Sequence, residues 1–380
     1  MVSVPEVVFS RPYRAESELS NVSRVLESDH VHGDGPLTAS ATARLRDIVG
    51  AQRILLTTSC THALEMASLL LGFEHGDEVI LPSFTFPSAA AAVALLGARC
   101  VFVDIDPATG NIDSAAVEAA ITPRTRAISV LHYGGVAANM AALLTLSQRH
   151  CIPLIEDNAH GLGGTWNGRQ LGTLGEFGTQ SFHDTKNVHC GEGGALLINN
   201  VRYNARAEII REKGTNRAQF LRGQTDKYTW TDIGSSYLPS ELNAAVLDAQ
   251  LAAFDTIQTL RHEIWNAYAT ALGGWAAARE IALMRVPEAR EHTAHLYYLL
   301  LPSHGEQRAF IEHMRALGIN APFHYLPLDS SPAGLRYGRT PEKCVVTEDF
   351  SSRLVRLPVW AGLPPEQLDR VINGALSWRA

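Results

Sequence analysis

Only four of the 32 basic residues in this 380-residue chain are lysines: Lys186, Lys213, Lys227 and Lys343. Chemistry that needs a primary amine therefore has four candidates, and their settings differ. Three lie in polar stretches, REKGTN, TDKYTW and PEKCVV. Lys186 lies in SFHDTKNVHCGEGGA, residues 181–195, just ahead of the glycine-rich turn Gly191-Glu192-Gly193-Gly194. A lysine in a tight, apolar, glycine-flanked site loses hydration. Its pKa falls, and the neutral amine becomes a nucleophile toward aldehydes. The competing reading, a solvated surface charge, suits the other three better.

Three further segments end in polar residues after apolar runs. IEDNAH brings Glu156 and Asp157 to the end of one run. Facing a cleft, Asp157 can hold a protonated ring nitrogen or a proton in transit; facing solvent, it is an ion-pair or turn carboxylate. TTSCTHALEM places Ser59, Cys60 and Thr61 at a strand-to-helix turn, where hydroxyls and free backbone N–H groups suit a phosphate. The simpler reading there makes Thr61 a helix cap. PSFTFPSA carries Phe84 and Phe86, rings that can stack on a planar ligand or pack in a core. Ser181 adds a hydroxyl near Lys186. Together these are the parts that pyridoxal 5′-phosphate requires: a Schiff-base lysine, a carboxylate on the ring nitrogen, and groups for the phosphate. A carboxylate at the ring nitrogen keeps the ring protonated and electron-withdrawing, and the lysine can move a proton between carbons.

These residues need a scaffold, and the residue pattern supplies one. Apolar, β-branched runs at 53–58, 78–82, 100–105, 127–133, 153–158, 179–183 and 195–200 predict seven strands, several apolar on both faces as in a covered parallel sheet. Helical patterns lie between them (THALEMASLLLG, SAAAAVALLG, SAAVEAAI, NMAALLTLSQRH), with Gly72 and Gly97 closing the first two and Asp113 capping the third. Such alternation implies an α/β domain whose ligands sit beyond the carboxyl ends of the strands. The runs 179–183 and 195–200 have no helix between them and predict a hairpin. The polar, aromatic stretch 214–240 is too long for an ordinary connection and reads as a binding loop or subunit arm. One long amphipathic helix is expected from Ser240 to Leu272. The remainder reads as α+β, giving a large domain over 1–245 and a smaller C-terminal α+β domain over 246–380.

The composition, 46% hydrophobic and 19% charged, is that of an ordinary globular protein and excludes collagen, coiled-coil and disordered classes. No apolar run is long enough to span a bilayer, and the opening MVSVPEVVFSRPYRAESE, broken by Pro5, Glu6 and Arg11, lacks a signal-peptide layout. A net charge of −7 without basic blocks argues against nucleic acid as a partner. Five scattered cysteines, Cys60, Cys100, Cys151, Cys190 and Cys344, form neither a metal spacing nor a paired framework, so a cytoplasmic location is expected.

Longer motifs carry a resemblance. GDGP (33–36), GDEVILPSFTFPS (76–88), FVDIDPATGNID (102–113), IEDNAHG (155–161) and GEGG (191–194) resemble the DegT/DnrJ-type sugar aminotransferases of fold type I, over nearly the whole chain. SFHDTKN, the stretch 211–242 and FHYLPL (323–328) are similar to the dTDP-4-keto-6-deoxyglucose 4-aminotransferases. The resemblance implies that Lys186 carries the cofactor, Asp157 holds its ring nitrogen, and Phe86 stacks on it. It also implies that Ser59, Cys60, Thr61 and Ser181 bind the phosphate. His160 stands where the wider family usually has glutamine near the cofactor's hydroxyl, and an imidazole N–H can donate there. Ser236 stands where an asparagine reaches the phosphate of the partner subunit's cofactor. The subgroup signature places His183 near the substrate; a structural histidine is the alternative.

The implied reaction moves an amino group from L-glutamate to C4 of a nucleotide-linked 4-keto-6-deoxy sugar, dTDP-4-keto-6-deoxyglucose being the expected substrate. A homodimer with shared sites is expected, each completed by the partner's 214–240 segment, whose Arg217, Arg222 and Lys227 suit a nucleotide diphosphate. Alternatives are an aminotransferase acting on another keto position or a GDP or UDP sugar, and a pyridoxal-dependent sugar dehydratase. Relatives of the latter kind carry histidine at the lysine position, so Lys186 opposes it. A nicotinamide-dependent oxidoreductase would need G-x-G-x-x-G after the first strand, where TTSCTH stands. A non-catalytic binding protein is opposed by the joint presence of Lys186 and Asp157.

Overall fold

The computed structural model describes residues 6–379, so residues 1–5, with Pro5, lie outside the described residues. The strands are β1 Arg53–Thr57, β2 Glu78–Pro82, β3 Arg99–Val103, β4 Thr125–Leu131, β5 Leu154–Asp157, β6 Thr165–Trp166 and β7 Arg169–Gln170. They continue with β8 Phe177–Ser181, β9 Gly194–Ile198, β10 Ala282–Leu283, β11 Arg290–Glu291, β12 Tyr297–Leu300, β13 Gly338–Arg339 and β14 Leu354–Leu357. The large sheet has the order β1-β9-β8-β5-β4-β2-β3-β13. All its pairings are parallel except those of β9, which runs antiparallel to both β8 and β1. The β8–β9 hairpin is thus as the missing helix implied.

Side-chain alternation explains why the strand sequences are apolar throughout. Val79 and Leu81, Cys100 and Phe102, and Ile155 pack on one face with helices Cys60–Leu71 and Pro87–Ala94. Ile80, Val101, Val103, Ile128, Val130 and Leu154 pack on the other, with helices Ser114–Ala120 and Met140–His150. A period of two with both faces covered leaves no polar face. Gly72, at φ 69°, caps Cys60–Leu71 in the left-handed conformation, and the Asp113 carboxylate accepts the Ala115 N–H at 3.0 Å. Gly97, by contrast, lies beyond Leu95, the cap of the second helix.

The sheet has eight strands where seven were expected. The extra one, β13, comes from the far end of the chain. A Cβ at Gly338 would come within 2.4 Å of the Phe102 ring, so its lack of a side chain permits the approach. Arg339 then clamps the buried Glu78 carboxylate at 2.8 and 2.7 Å, and this guanidinium, chiefly, holds the Glu78 pKa down at about 2. Nothing local in a two-residue strand announces it.

The expected helix from Ser240 to Leu272 is two helices, Glu241–Ala252 and Phe254–Ala277, turning at Ala253. The stripe is divided between two cores. Leu247, Leu251 and Ile257 pack against β1 and β9, whereas Ile264, Tyr268, Leu272 and Trp275 join the core of the C-terminal half. That second core holds the antiparallel sheet β10-β12-β14, helices His304–Ala316 and Pro365–Ser377, and Val7 from the other chain end. A third small sheet, β11-β6-β7, ties residues 290–291 to 165–170.

Glu241 begins the first of these helices and is 1% exposed. Its carboxylate accepts N–H groups of Gly35 at 3.0 Å, Leu37 at 2.8 Å and Thr38 at 3.0 Å, and the Thr38 hydroxyl. These are donors at the start of helix Pro36–Val49, which that helix cannot satisfy itself. Glu241→Ala strands them away from water. The expected loss is about 2–4 kcal/mol of unfolding free energy, read from urea denaturation; a change below about 0.5 kcal/mol contradicts the assignment.

Candidate active site

β1 delivers the turn that precedes helix Cys60–Leu71. Ser59 is extended, and its hydroxyl accepts the His62 N–H at 3.1 Å. Ser59 is therefore the helix cap, the role that local pattern gave to Thr61. The Thr61 hydroxyl instead pairs with Ser88 at 2.7 Å. The amides of Cys60 and Thr61 are in the first turn, where no intrahelical acceptor exists. A Cβ at Gly194 would lie 2.4 Å from the Cys60 nitrogen, so glycine is required where β9 starts beside this turn. Register sets Gly194 opposite Ser181 on one side and Thr57 on the other. Ser59, Cys60 and Ser181 thus gather around one glycine, with Thr61 the next residue along the helix.

β5 delivers two carboxylates in succession, and alternation sends them to opposite faces. Glu156 is fully buried, accepting N–H groups from Gly172 at 2.8 Å, Leu174 at 2.6 Å and Gly175 at 2.6 Å, and facing His132 Nε2 at 2.9 Å. Every lone pair has a structural use. Asp157 is 3% exposed, and the one hydrogen bond its carboxylate makes among the described residues is from the Ala159 N–H at 3.2 Å. Burial raises its pKa, opposed by that N–H and by the charges of Lys186 and His132.

Lys186 follows the sharp turn after β8, its N–H bonded to the His183 carbonyl at 2.9 Å. Its side chain makes no hydrogen bond or ion pair with any described residue. Burial pushes its pKa down most, with Arg356 adding to the effect and Cys60 and Asp157 opposing it. The Cys60 thiol is pushed up, first by burial and then by Asp157. Cys60, Asp157 and Lys186 therefore occupy one desolvated space, the arrangement that makes an amine nucleophilic.

Aromatic residues close the site. His160 Nδ1 accepts the Gly134 N–H at 3.2 Å, and Nε2 lies 3.3 Å from the Tyr325 hydroxyl. The imidazole stacks on His295 at 4.3 Å and 24°. Burial first, then the cations Lys186 and Arg356, push its pKa far down, so it is neutral. His295 Nδ1 donates to the Asn187 side-chain oxygen at 2.9 Å, tying this stack to the residue after Lys186. Tyr133, Asn187, His295, His324, Tyr325 and Arg356 were not foreseen individually. His324 and Tyr325 lie within the FHYLPL motif, and Tyr133 ends a strand run; His295 and Arg356 give no local signal.

Phe86 is 55% exposed beside Tyr325, with ring centroids 6.2 Å apart, while Phe84 is fully buried. Of the two rings, Phe86 is the one free to meet a ligand. From this pair an apolar cavity of about 950 Å³ runs between helices Pro87–Ala94 and Pro332–Tyr337. His183 is half-buried, its imidazole 2.9 Å from the Thr185 hydroxyl and 3.1 Å from the Asp184 carboxylate. Ser236 is exposed, at a backbone bridge to Glu212.

The 214–240 segment forms one short helix, Arg217–Leu221, and is otherwise irregular. Its cations differ from expectation: Arg222 pairs with Glu208 at 2.7 Å and Arg217 with Glu212 at 3.4 Å. Acidic residues of the preceding helical stretch neutralise them, leaving Lys227 exposed. What the segment presents instead is apolar: Leu221, Tyr228, Trp230 and Ile233 are each more than half exposed. Among the described residues no helix is long and apolar enough to cross a membrane.

The model of the DegT/DnrJ/EryC1/StrS aminotransferase family matches residues 12–375. Among solved structures, the aminotransferase TlmJ from Streptoalloteichus hindustanus is similar at 28% identity, with 98% of each chain covered and a TM-score of 0.90. S. venezuelae DesV, solved with a ketimine intermediate, is 28% identical over 99% of this chain and 100% of its own, with a TM-score of 0.88. 3-Amino-5-hydroxybenzoic acid synthase has the same identity and TM-score, with 98% of each chain covered.

Proposed function

The chain belongs to the DegT/DnrJ/EryC1/StrS aminotransferase family, and from that premise we propose that it aminates C4 of a nucleotide-linked 4-keto-6-deoxyhexose with L-glutamate as donor. The expected substrate is dTDP-4-keto-6-deoxyglucose, and the product a 4-amino-4,6-dideoxy sugar nucleotide. The observation that carries the reading is a half-buried Lys186 amine, without a partner among the described residues, whose charge acts on the buried Asp157 carboxyl. The substrate assignment is supported by the motifs SFHDTKN and FHYLPL, of which Lys186 and Tyr325 stand in the site.

Pyridoxal 5′-phosphate fits the residues present. An uncommitted amine, a buried carboxyl with one weak partner, and a cradle of first-turn amides and hydroxyls around Gly194 match its aldehyde, ring nitrogen and phosphate. When bound, it supplies an aldehyde carbon for the amine and a ring that withdraws electrons from the substrate's Cα. Lys186 Nζ would hold its aldehyde end and, when free, would take and return the substrate's proton in both half-reactions. Asp157 fixes the ring nitrogen's proton by its negative charge. Ser59, Cys60, Thr61 and Ser181 would hold the phosphate, and Phe86 would stack on the ring. Burial of Asp157 keeps water from its carboxyl and strengthens the electrostatic contacts it makes.

We also assign the active form as a homodimer in which the partner's 214–240 segment completes each site. Support comes from its four large apolar side chains, which a lone chain leaves in water. The cation argument is replaced by an apolar one.

Incubation with dTDP-4-keto-6-deoxyglucose and L-glutamate, followed by NMR, tests the function. An amine at C4 with 2-oxoglutarate supports it; amination at another carbon, or loss of a hydroxyl without amination, contradicts it. Borohydride trapping of the loaded protein should label Lys186, and Lys186→Ala should lose both the label and activity. A label on Lys213, Lys227 or Lys343 removes Lys186 from its role. Asp157→Asn should retain cofactor but slow both half-reactions on the order of 100-fold, because the amide cannot stabilise the ring's charge; near-normal rates exclude it. Mixing Lys186→Ala with a variant truncated at Tyr228 and Trp230, each inactive alone, should restore up to roughly half the native activity per dimer. A well-mixed inactive heterodimer excludes sharing of the arm.

A further inference from the structure

The hydrogen bonds around His160 fix where each of its protons is. A backbone N–H can only donate, so the Gly134 N–H makes Nδ1 of His160 an acceptor, at 3.2 Å. The neutral imidazole then carries its single proton on Nε2, and the group facing Nε2 at 3.3 Å is the Tyr325 hydroxyl. Both ring nitrogens are therefore used within the protein. The Tyr325 oxygen is an acceptor in this pair, and its own proton has no acceptor among the described residues.

The ring that carries this hydroxyl is well fixed. Ser351 Oγ donates to the Tyr325 backbone carbonyl, and the ring makes an edge contact with Phe84 at 5.4 Å. It also lies 6.1 Å from Tyr133 and 6.2 Å from Phe86. The charged and titratable groups around it are Arg356, Asp157, His160 and His324. Burial raises its pKa, so the phenol keeps its proton through the ordinary pH range.

We propose that Tyr325, rather than His160, is the hydrogen-bond donor to an acceptor oxygen of the bound ligand beside Lys186, with His160 a positioning residue that orients the hydroxyl. This inference rests on the cofactor reading above. The acceptor is an electron-rich oxygen from one of two sources: the ring oxygen of the cofactor, or a carbonyl or hydroxyl oxygen of the sugar. His160 carries one N–H, and Tyr325 already receives it; a donor role reaches the ligand only through the tyrosine.

The test uses Tyr325→Phe, which keeps the ring contacts and removes one oxygen, in the full chain loaded with pyridoxal 5′-phosphate. Circular dichroism and thermal unfolding confirm the fold. The visible band of the lysine-linked cofactor is titrated without substrate, and binding of dTDP-4-keto-6-deoxyglucose is then measured. If the cofactor oxygen is the acceptor, losing the donor leaves that oxygen's charge to the linkage nitrogen alone. That nitrogen holds its proton to higher pH, and the midpoint rises by about one unit. If the sugar oxygen is the acceptor, the midpoint stays and the dissociation constant rises about tenfold or more. His160→Gln, which can accept from Gly134 and donate to Tyr325, should keep wild-type behaviour, and His160→Leu should approach Tyr325→Phe. An unchanged midpoint together with unchanged binding in Tyr325→Phe overturns the inference. A wild-type protein that forms no visible band overturns the cofactor reading itself, and the inference with it.

Discussion

Holding a half-buried amine beside a buried carboxyl, close enough to feel one another, is the constraint on which the rest of this structure depends. Each charge alone would cost several kcal/mol to bury. Burial lowers the Lys186 pKa and raises that of Asp157, and each is the other's counterweight. Such a pair is unstable against local rearrangement unless the backbone on both sides is fixed. β5 fixes Asp157 between β4 and β8, in the middle of the sheet. Lys186 is fixed through its neighbour: Asn187 donates to Gln258 at 2.8 Å and to the Thr293 carbonyl at 2.7 Å, and accepts from His295. The second half of the chain thus sets the position of the lysine.

Glu156 and Asp157 show how adjacent, equally buried carboxylates come to do different work. Glu156 is surrounded by three backbone donors and a histidine, and it holds the 172–175 turn against β5. A carboxylate with that many partners has no capacity left for a ligand. Asp157, with one backbone donor, has capacity to spare. Glu78 and Glu241 belong with Glu156. Each is buried and saturated, the first by Arg339, Arg124 and Thr122, the second by the start of helix Pro36–Val49. The distinction is one of unmet hydrogen-bonding capacity, since burial is common to all four.

What was legible in the sequence follows from how local each signal is. Lys186 and Asp157 could be picked out because their flanks, a glycine-rich turn and an apolar strand, are contiguous with them. The sheet was readable because covered strands are apolar on both faces. The simpler reading of Thr61 as a cap falls to Ser59 because both are good capping types, and only the backbone angles distinguish them. The break at Ala253 was hidden because the apolar stripe continues through it while changing the core it serves. β13 and His295 act across more than a hundred residues of sequence from the groups they meet, and so does Arg356 toward Lys186; their flanks say nothing of it. The arm's arginines looked free because their partners, Glu208 and Glu212, come from the preceding turn of chain.

The electrostatics around Lys186 have a further consequence for what the site admits. The chain is acidic overall, with a net charge of −7, yet the groups acting on the site lean the other way. Lys186, Arg356 and Arg261 act there with Asp157 as the buried carboxylate among them, and burial and these cations push the pKa values of His160, His295 and His324 far down. Arg356 keeps its Nε without a partner while its other end donates to the Phe323 carbonyl at 3.0 Å. Cations short of counter-charge attract anions, and low-dielectric walls concentrate that attraction. The histidines limit it by staying neutral, since three added charges beside Lys186 would strip its proton and repel one another. The cations thus lean the site toward anions, while the histidines, their pKa values pushed down, leave Lys186 and Asp157 as the pair whose charges act on each other.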